Sequence, residues 1–485
     1  MTVLLSHLLQ HDAAMPDGVD VGVQGITSDS REVKSGFVFA ALPGTKVDGS
    51  AFIAKAFANG AVAAIGLSGS YQGTGLVIET KNPRRLLALM ASRLYDRQPD
   101  TIVAVTGTNG KTSVSVFVRQ IWAAMGFRAA SLGTIGVVGP DGAEYLAHTT
   151  PDPVQLSALA AKLRDDHVDH LAIEASSHGL AQFRLDGLRL TAGAFTNLTQ
   201  DHLDYHHSFE AYFEAKMRLF DELLPRGSVA VINMDSPQGA DVLQHALNAG
   251  LVPFTVGRNG DDLKLLQSTA NGLGQELVIE SKLGQHRVSL PLVGEFQVSN
   301  ALVAAGLVIA SGGEIGLALH ALESLKGASG RLELVGVTGT GASVFVDYAH
   351  TPDALENAIM ALKPYAKGKL HVVFGCGGDR DKGKRPLMAA AVAKNADVAY
   401  LTDDNPRTED PAQIRMEALV GAPNAIEIGD RAKAIATAVA ALQQDDILLV
   451  AGKGHEEGQT IGTTIIPFKD HDAVAAAIAG VSYHG

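Results

Sequence analysis

The sequence predicts an α/β protein of three domains: a central, mostly parallel, doubly wound sheet of the phosphate-loop type, a C-terminal Rossmann-like α/β domain and a smaller N-terminal α/β domain. Three observations carry this expectation. Short apolar, β-branched runs alternate with helical patterns along most of the chain, as in sheets with helices on both faces. Residues 101–125 read as strand, Gly-rich turn and helix. The chain has 485 residues, 46% of them hydrophobic, enough for about three packed cores at roughly 150 residues each.

The stretch around which the rest is organised is T-I-V-A-V-T-G-T-N-G-K-T-S-V, beginning at Thr101. Ile102, Val103 and Val105 form a strand-like run, and Val114, Phe117, Val118, Ile121 and Met125 recur at helical spacing up to Gly126. Between them Gly107, Thr108, Asn109 and Gly110 allow backbone N–H groups to close around an anion at the positive end of the helix. Lys111 supplies a point charge for the β- and γ-phosphates, and the Thr112 hydroxyl, next to Ser113, can ligate Mg²⁺. Val105 stands where the eight-residue form of this motif has its first glycine, which leaves the shorter G-T-N-G-K-T.

Composition limits what surrounds the loop. A net charge of −13 argues against a broad nucleic-acid or membrane surface, so an anionic ligand must be held by local Arg, Lys and helix N-termini. The single cysteine, Cys376, excludes an intramolecular disulfide and fits a reducing cytoplasm. No targeting segment is visible, and the apolar run 298–310 is too short to span a bilayer and is interrupted by Ser299 and Asn300. The expected class is a soluble cytoplasmic protein.

In chain order, residues 1–98 form the first unit, with apolar runs at 37–42, 61–67 and 75–78 and a closing helix from Pro83 to Tyr95. Ser28 and Ser30 lie in T-S-D-S-R, and Thr45, Lys46 and Val47 in a polar turn; either can be ordinary turn chemistry or a binding loop. Gln98-Pro99-Asp100 reads as a linker. Residues 99–329 alternate strands at 102–105, 171–174, 192–195 and 228–232 with helices, and Ala328-Ser329-Gly330 marks a second break. Residues 330–485 repeat the pattern with strands at 344–347, 370–374, 398–402 and 447–450.

Ligands of such sheets collect at the carboxyl ends of strands. Glu174 ends one, ahead of Ala175-Ser176-Ser177-His178-Gly179, where its carboxylate can share Mg²⁺ with Thr112. The strand at 192–195 runs into T-N-L-T-Q-D-H-L-D-Y-H-H, a group of His and Asp that can be read as a metal site. In the helix expected over 208–224, Lys216 falls on the apolar stripe of Phe209, Tyr212, Phe213, Phe220 and Leu223. A lysine there either snorkels to water or loses its charge, because burying an unpaired cation is costly. Further on, the cation-rich turn 374–386 suits an anionic ligand, and the polar loops 403–407 and 451–456 follow the next strands.

T-G-T-N-G-K-T, E-A-S-S-H-G-L, T-N-L-T-Q-D-H-L-D-Y-H, A-K-M-R-L-F, G-R-L-E, D-Y-A-H-T-P and A-G-K-G-H-E, in this order, resemble the Mur ligases, ATP-dependent amide-forming enzymes of peptidoglycan synthesis. The match runs from Ser28 to Glu456. D-D-N-P-R, with Asp404, Asn405, Pro406 and Arg407, is similar to the signature of diaminopimelate-adding members and differs from that of lysine-adding ones. Ala175 stands where relatives often have Val.

The resemblance implies a set of roles. The first domain would hold the UDP end of a UDP-N-acetylmuramoyl dipeptide through Ser28, Ser30, Thr45, Lys46 and Val47. His148, Thr149, Thr150, Ser176, Gln182 and Arg184 would hold its muramoyl-peptide part. ATP would lie on Gly107 to Ser113, with Asn300, Arg331 and Asp347 contributing from the hinge and third domain. One Mg²⁺ would sit on Thr112 and Glu174, and a second near His202 and Lys216, the latter carbamylated. Lys111, Glu174, His202 and Lys216 would form the catalytic group, and Arg380, Asn405, Arg407, Gly452 and Glu456 would surround meso-diaminopimelate. A carboxylate attacking the γ-phosphate brings two anions together, a repulsion that Mg²⁺ and Lys111 would neutralise. The resulting acyl phosphate would then be taken by the amine, with closure over the site to exclude water. The expected state is a monomer with small-molecule partners only. A dinucleotide oxidoreductase would need G-x-G-x-x-G where this chain has G-K-T. A non-catalytic nucleotide-binding regulator would have no use for Lys216, His202 or Arg407.

Overall fold

The computed structural model describes residues 2–15, 19–44, 47–146, 148–199, 201 and 203–483. The chain divides into two compact units, residues 1–264 with 302–321 and residues 265–301 with 322–485.

The first unit contains two main sheets, a smaller parallel one and a larger mixed one. The smaller has the order Gly25–Thr27, Phe37–Ala40, Ala63–Leu67, Val77–Thr80, all parallel. Its closing helix spans Pro83–Tyr95, starting where the Asn82 side chain accepts from Arg85 N and ending at Asp96 in the left-handed region (φ 47°). Leu86, Leu87, Met90 and Ala91 of that helix bury against Ile26, Val38, Ile65 and Ile78. The expected linker is fastened rather than loose. Gln98 is buried, its Nε2 donates to Ser92 Oγ and Gly187 O, and its Oε1 accepts from Arg189 N.

The larger sheet of this unit runs Gly142–Glu144, Gly136–Gly139, Ala129–Gly133, His170–Glu174, Thr101–Thr106, Ala192–Phe195, Val229–Asn233, Val252–Gly257. The first three pair antiparallel and the rest parallel. Nearly every residue of Thr101–Thr106 is buried, as a strand covered on both faces requires. The strand before the phosphate loop is flanked by His170–Glu174 and Ala192–Phe195, with Glu174 opposite Val105 and Phe195 opposite Thr106. Three carboxyl ends therefore meet at one place. The helix expected over 208–224 is shorter, Phe209–Arg218, and its last turns widen to a π-turn at Leu219–Leu223.

In the second unit, three strands at Leu263–Asn271, Gly274–Ser281 and Gly284–Leu290, unexpected from the sequence, lie side by side in chain order, the last two antiparallel. Its main sheet has the order Glu333–Val337, Ser343–Asp347, Ile447–Ala451, Leu370–Cys376, Val398–Asp403, Ile426–Glu427, antiparallel only at the first pair. One face packs with Leu355, Ile359, Met388 and Val392, the other with Ala434, Ile435, Ala438 and Val474. Gly458–Ile461 and Thr464–Pro467 form a small antiparallel hairpin. Among the described residues no helix is long and apolar enough to cross a membrane.

Candidate active site

The phosphate loop is held from outside. Gly107 has φ +146°, and a Cβ there would collide with Thr196 Oγ1, so glycine is required for both conformation and space. Thr108 N donates to Asn197 O (2.8 Å), Asn109 N to Asn197 Oδ1 (3.0 Å) and Thr196 Oγ1 to Asn109 O (2.6 Å). Thr108 Oγ1 accepts from Thr199 N and lies 3.1 Å from Tyr212 Oη. The T-N-L-T motif is thus a buttress for the loop. Gly110 (φ 87°) opens the helix Lys111–Ala124, whose first N–H groups face the loop.

Lys111 Nζ donates to Gly107 O (2.8 Å) and Thr108 O (2.7 Å). Lys216 Nζ donates to the same Gly107 carbonyl (2.7 Å), and lies 4.2 Å from the centroid of the Tyr212 ring. Lys216 is 1% exposed, so the snorkelling alternative is excluded. Burial first, then the neighbouring Lys111, holds its amine well below the ordinary lysine value, opposed only by Asp201. The amine lies beside the phosphate loop, shielded from water. His202 lies outside the described residues. Among the described residues no three His, Cys, Asp or Glu groups gather as a metal site. His206 instead packs against the rings of His178, Tyr205 and Tyr212.

Glu174 is buried at the end of its strand. Its Oε1 accepts from Thr134 N (2.8 Å) and its Oε2 from Thr134 Oγ1 (3.2 Å), in space that any side chain at Gly133 would fill. The carboxylate here, at a strand end, and the buried Thr112 hydroxyl, in the first turn of the helix Lys111–Ala124, are both oxygen donors of the kind Mg²⁺ takes. The substrate residues expected beyond it form one network. Thr149 Oγ1 meets Thr134 Oγ1 (3.1 Å); Thr150 Oγ1 donates to Glu174 O (2.9 Å) and meets Ser176 Oγ (2.9 Å). Arg184 donates to Thr150 O and to Gln182 Oε1 (2.8 Å), and Gln182 Nε2 donates to Tyr205 Oη (3.1 Å). Gln182 and Arg184 also line a small cavity with Leu42, Arg84, Leu87, Asp152 and Pro153. His148 is exposed and joins none of these bonds.

Ser28 and Ser30 line a recess of about 450 Å³ with Asp29, Arg31, Phe52 and Lys55. Asp29 is held at a pKa of about 2, chiefly by hydrogen bonds from Arg31. Thr45 and Lys46 lie outside the described residues, and Val47 is exposed.

The second unit carries two further clusters. Asn300 Nδ2 donates to Gln297 Oε1 (3.1 Å), and Gln297 Nε2 to Arg331 O (3.1 Å). The Arg331 guanidinium lies over the Tyr348 ring (4.6 Å), and Asp347 accepts from Leu332 N and Ala349 N, both 2.7 Å. Burial raises the Asp347 carboxyl, with Arg331 opposing. Asn300, Arg331 and Asp347 are thus brought together, through a glutamine the sequence reading did not single out.

The other cluster joins the loops after Leu370–Cys376, Val398–Asp403 and Ile447–Ala451. Asn405 Nδ2 donates to Glu456 Oε2 (2.9 Å), and Thr460 N to Asn405 Oδ1 (2.9 Å). Arg407, at φ +51°, donates from Nη1 to Gly378 O (2.7 Å), and its backbone is bonded to Thr460 O and Gly462 N. A Cβ added at Gly377 would lie 3.0 Å from Arg407 Nη1 and 3.9 Å from Arg380 Cγ, so both arginines converge over bare backbone. Asp404 is buried, with Oδ2 3.2 Å from where a Cβ of Gly452 (φ +116°) would stand, and a side chain at Gly378 would strike Pro406 O. One cation of the expected anion turn is structural instead: Arg385 is buried in pairs with Glu409 and Glu417, both 2.7 Å.

Comparisons with known proteins match the chain in three stretches. Residues 22–95 match the Mur ligase family catalytic domain, 105–308 the Mur ligase middle domain and 330–454 the Mur ligase glutamate ligase domain. The UDP-N-acetylmuramoyl-L-alanyl-D-glutamate–2,6-diaminopimelate ligase of Mesorhizobium japonicum is 54% identical over 461 residues, 95% of each chain. Its counterpart from Caulobacter vibrioides is 50% identical over 490 residues, 99% of this chain and all of that one. A solved structure of a ligase of the same name has a TM-score of 0.75 at 34% identity, covering 99% of both chains. With a phosphate loop braced by T-N-L-T, a buried lysine at its first carbonyl, and likeness from end to end, this chain belongs to the Mur ligase family.

Proposed function

We propose that this chain is the ATP-dependent ligase that adds meso-diaminopimelate to UDP-N-acetylmuramoyl-L-alanyl-D-glutamate, through an acyl phosphate of the D-glutamyl side chain, releasing ADP and phosphate. The relatives at 50–54% identity carry that name. The observation that carries the choice of amino acid is the loop cluster of Arg380, Asp404, Asn405, Pro406, Arg407, Gly452 and Glu456. It gathers arginine side chains, an amide and a carboxylate on loops hydrogen-bonded to one another, groups that complement a zwitterionic amino-acid end.

Residues 1–98 form the UDP-binding domain, with Ser28 and Ser30 in its recess and Thr45, Lys46 and Val47 in the adjoining turn. Residues 99–329 bind ATP on Gly107 to Ser113, and residues 330–485 bind the amino acid. The Glu174 to Arg184 network, with His148, receives the muramoyl peptide. Asn300, Arg331 and Asp347 belong to the nucleotide site. Thr112 and Glu174 would hold one Mg²⁺, and His202 with Lys216 a second. Bound there, the metal supplies positive charge between two anionic reactants.

Lys111 exchanges its loop carbonyls for the β- and γ-phosphates and stabilises the charge that grows as the D-glutamyl carboxylate attacks phosphorus. The N–H groups of the loop hold the ADP that leaves. The free amine of diaminopimelate then bonds to the acyl carbon, loses a proton, and phosphate departs. In its unprotonated form the buried Lys216 bonds through nitrogen to the carbon of CO₂ and releases a proton, leaving a carbamate. An anion thus replaces an amine that is costly to protonate at this depth. The protein acts in the cytoplasm, as a monomer. A phosphate-release assay with ATP, the UDP-muramoyl dipeptide and a panel of amino acids tests the reading. Release is expected with meso-diaminopimelate, and comparable kcat/KM with L-lysine would overturn the choice of amino acid.

A further inference from the structure

Lys453 is a fully buried cation with no part in the steps above. It follows the strand Ile447–Ala451, and its Nζ lies 3.0 Å from Glu456 Oε2, 3.3 Å from Asn405 Oδ1 and 3.7 Å from Asp404 Oδ1. These bonds sort the polar atoms of the loop cluster. The Asn405 oxygen faces Lys453 and Thr460 N–H, so its amide nitrogen is turned to Glu456. Glu456 Oε2 receives both Lys453 and Asn405, while Oε1 has no partner among the described residues. The Glu456 side chain is 33% exposed, so that oxygen is within reach of a ligand.

Two carboxylates, the buried Asp404 and the partly exposed Glu456, share this cation. We propose that Lys453 is a positioning residue for amino-acid choice: it ties down Oε2 of Glu456, leaving Oε1 aimed at the ammonium of the distal zwitterionic end. This deepens the reading of the cluster as the diaminopimelate site and rests on it. Lys453 itself touches no substrate atom. Its effect is confined to the part of the ligand that Glu456 recognises.

The test compares two amine acceptors, meso-diaminopimelate and 2-aminopimelate, which keeps the distal carboxylate but has no distal ammonium. In Lys453→Met, KM for meso-diaminopimelate should rise ~10- to 100-fold, the range for a lost hydrogen bond to a charged group, with kcat changed less than about threefold. KM for 2-aminopimelate should stay within about threefold of wild type, as should KM for ATP and the UDP-muramoyl dipeptide. Glu456→Gln should show the same selectivity, and the double variant should be little worse than either single one. Lys453→Gln, which keeps a donor in place of the cation, serves if the methionine variant does not fold, with the same pattern expected. An equal rise for both acceptors, or no rise for either, overturns the proposal. A wild-type enzyme that does not use meso-diaminopimelate would instead refute the underlying reading.

Discussion

Arg407→Ala isolates the group on which amino-acid choice is expected to turn. The backbone at residue 407 sits at φ +51° and is bonded to Thr460 O and Gly462 N. Alanine meets the same left-handed strain as arginine, so the substitution removes the guanidinium without changing the backbone cost. Within the protein it deletes one bond, from Nη1 to Gly378 O, at a half-buried position. Toward a distal carboxylate it deletes a two-pronged ion pair, and loss of one partner of such a pair costs about 3–4 kcal/mol. That corresponds to ~10²–10³ in kcat/KM for meso-diaminopimelate. L-Lysine has the same chain but no second carboxylate, so its kcat/KM should move by no more than about threefold. Wild type should strongly prefer meso-diaminopimelate, because a site built to pair a distal carboxylate rejects the analogue that lacks it. Steady-state phosphate release with each amino acid, at saturating ATP and UDP-muramoyl dipeptide, measures both. A fall of equal size on the two amino acids would refute the reasoning.

Lys111→Ala should abolish turnover while calorimetric affinity for the UDP-muramoyl dipeptide stays within about fivefold, since Lys111 donates to the phosphate-loop carbonyls and a point-charge contact in transfer contributes mainly in the transition state; joint loss of affinity and activity would contradict the assignment. Lys216→Ala should be nearly inactive and partly restored by added formate or acetate, small anions that can occupy the space of a carbamate; no restoration at any concentration argues against it. His471 donates to Glu333 (2.6 Å), a bond that raises the imidazole above its ordinary 6.5 and helps hold the carboxyl below 4.5. Their shared stability is therefore complete between about pH 4.5 and 6.5, falls as acid protonates Glu333, and falls again as pH rises through the elevated value of His471. The difference in Tm between wild type and His471→Gln should shrink from pH 6 to pH 9, and a constant difference would refute the pairing.

Much of the scaffold is written in short stretches of sequence. Ile102, Val103 and Val105 make a strand because β-branched residues suit a surface covered on both sides. The helix Pro83–Tyr95 has its expected ends because Asn82 caps it, proline opens it and Asp96 tolerates the left-handed turn. Gly107 and Lys111 mark the phosphate loop through requirements that act within a few residues. The strands from Leu263 to Leu290 were less legible. Their outward faces are polar and their turns, at Asn271-Gly272 and around Gly284, are short, so neither a long apolar run nor a helical period marks them.

What neighbouring residues could not decide is which distant side chains meet. Lys216 stands out on its helix, but its place at the Gly107 carbonyl, 109 residues away in the chain, depends on tertiary packing that brings helix Phe209–Arg218 to the phosphate loop. T-N-L-T reads as the start of a metal cluster and is found bracing the phosphate loop, because Ala192–Phe195 lies next to Thr101–Thr106 in the sheet. Thr134, Gln297 and Lys453 carry no signal of their own, since hydroxyl, amide and ammonium groups are ordinary in loops and on helix surfaces. They acquire partners through strand order, which places Glu174 opposite Val105 and brings the loops after residues 376, 403 and 451 together. Propensity and turn chemistry act over a few residues and so are visible in sequence, whereas strand order is set by burying whole faces at once.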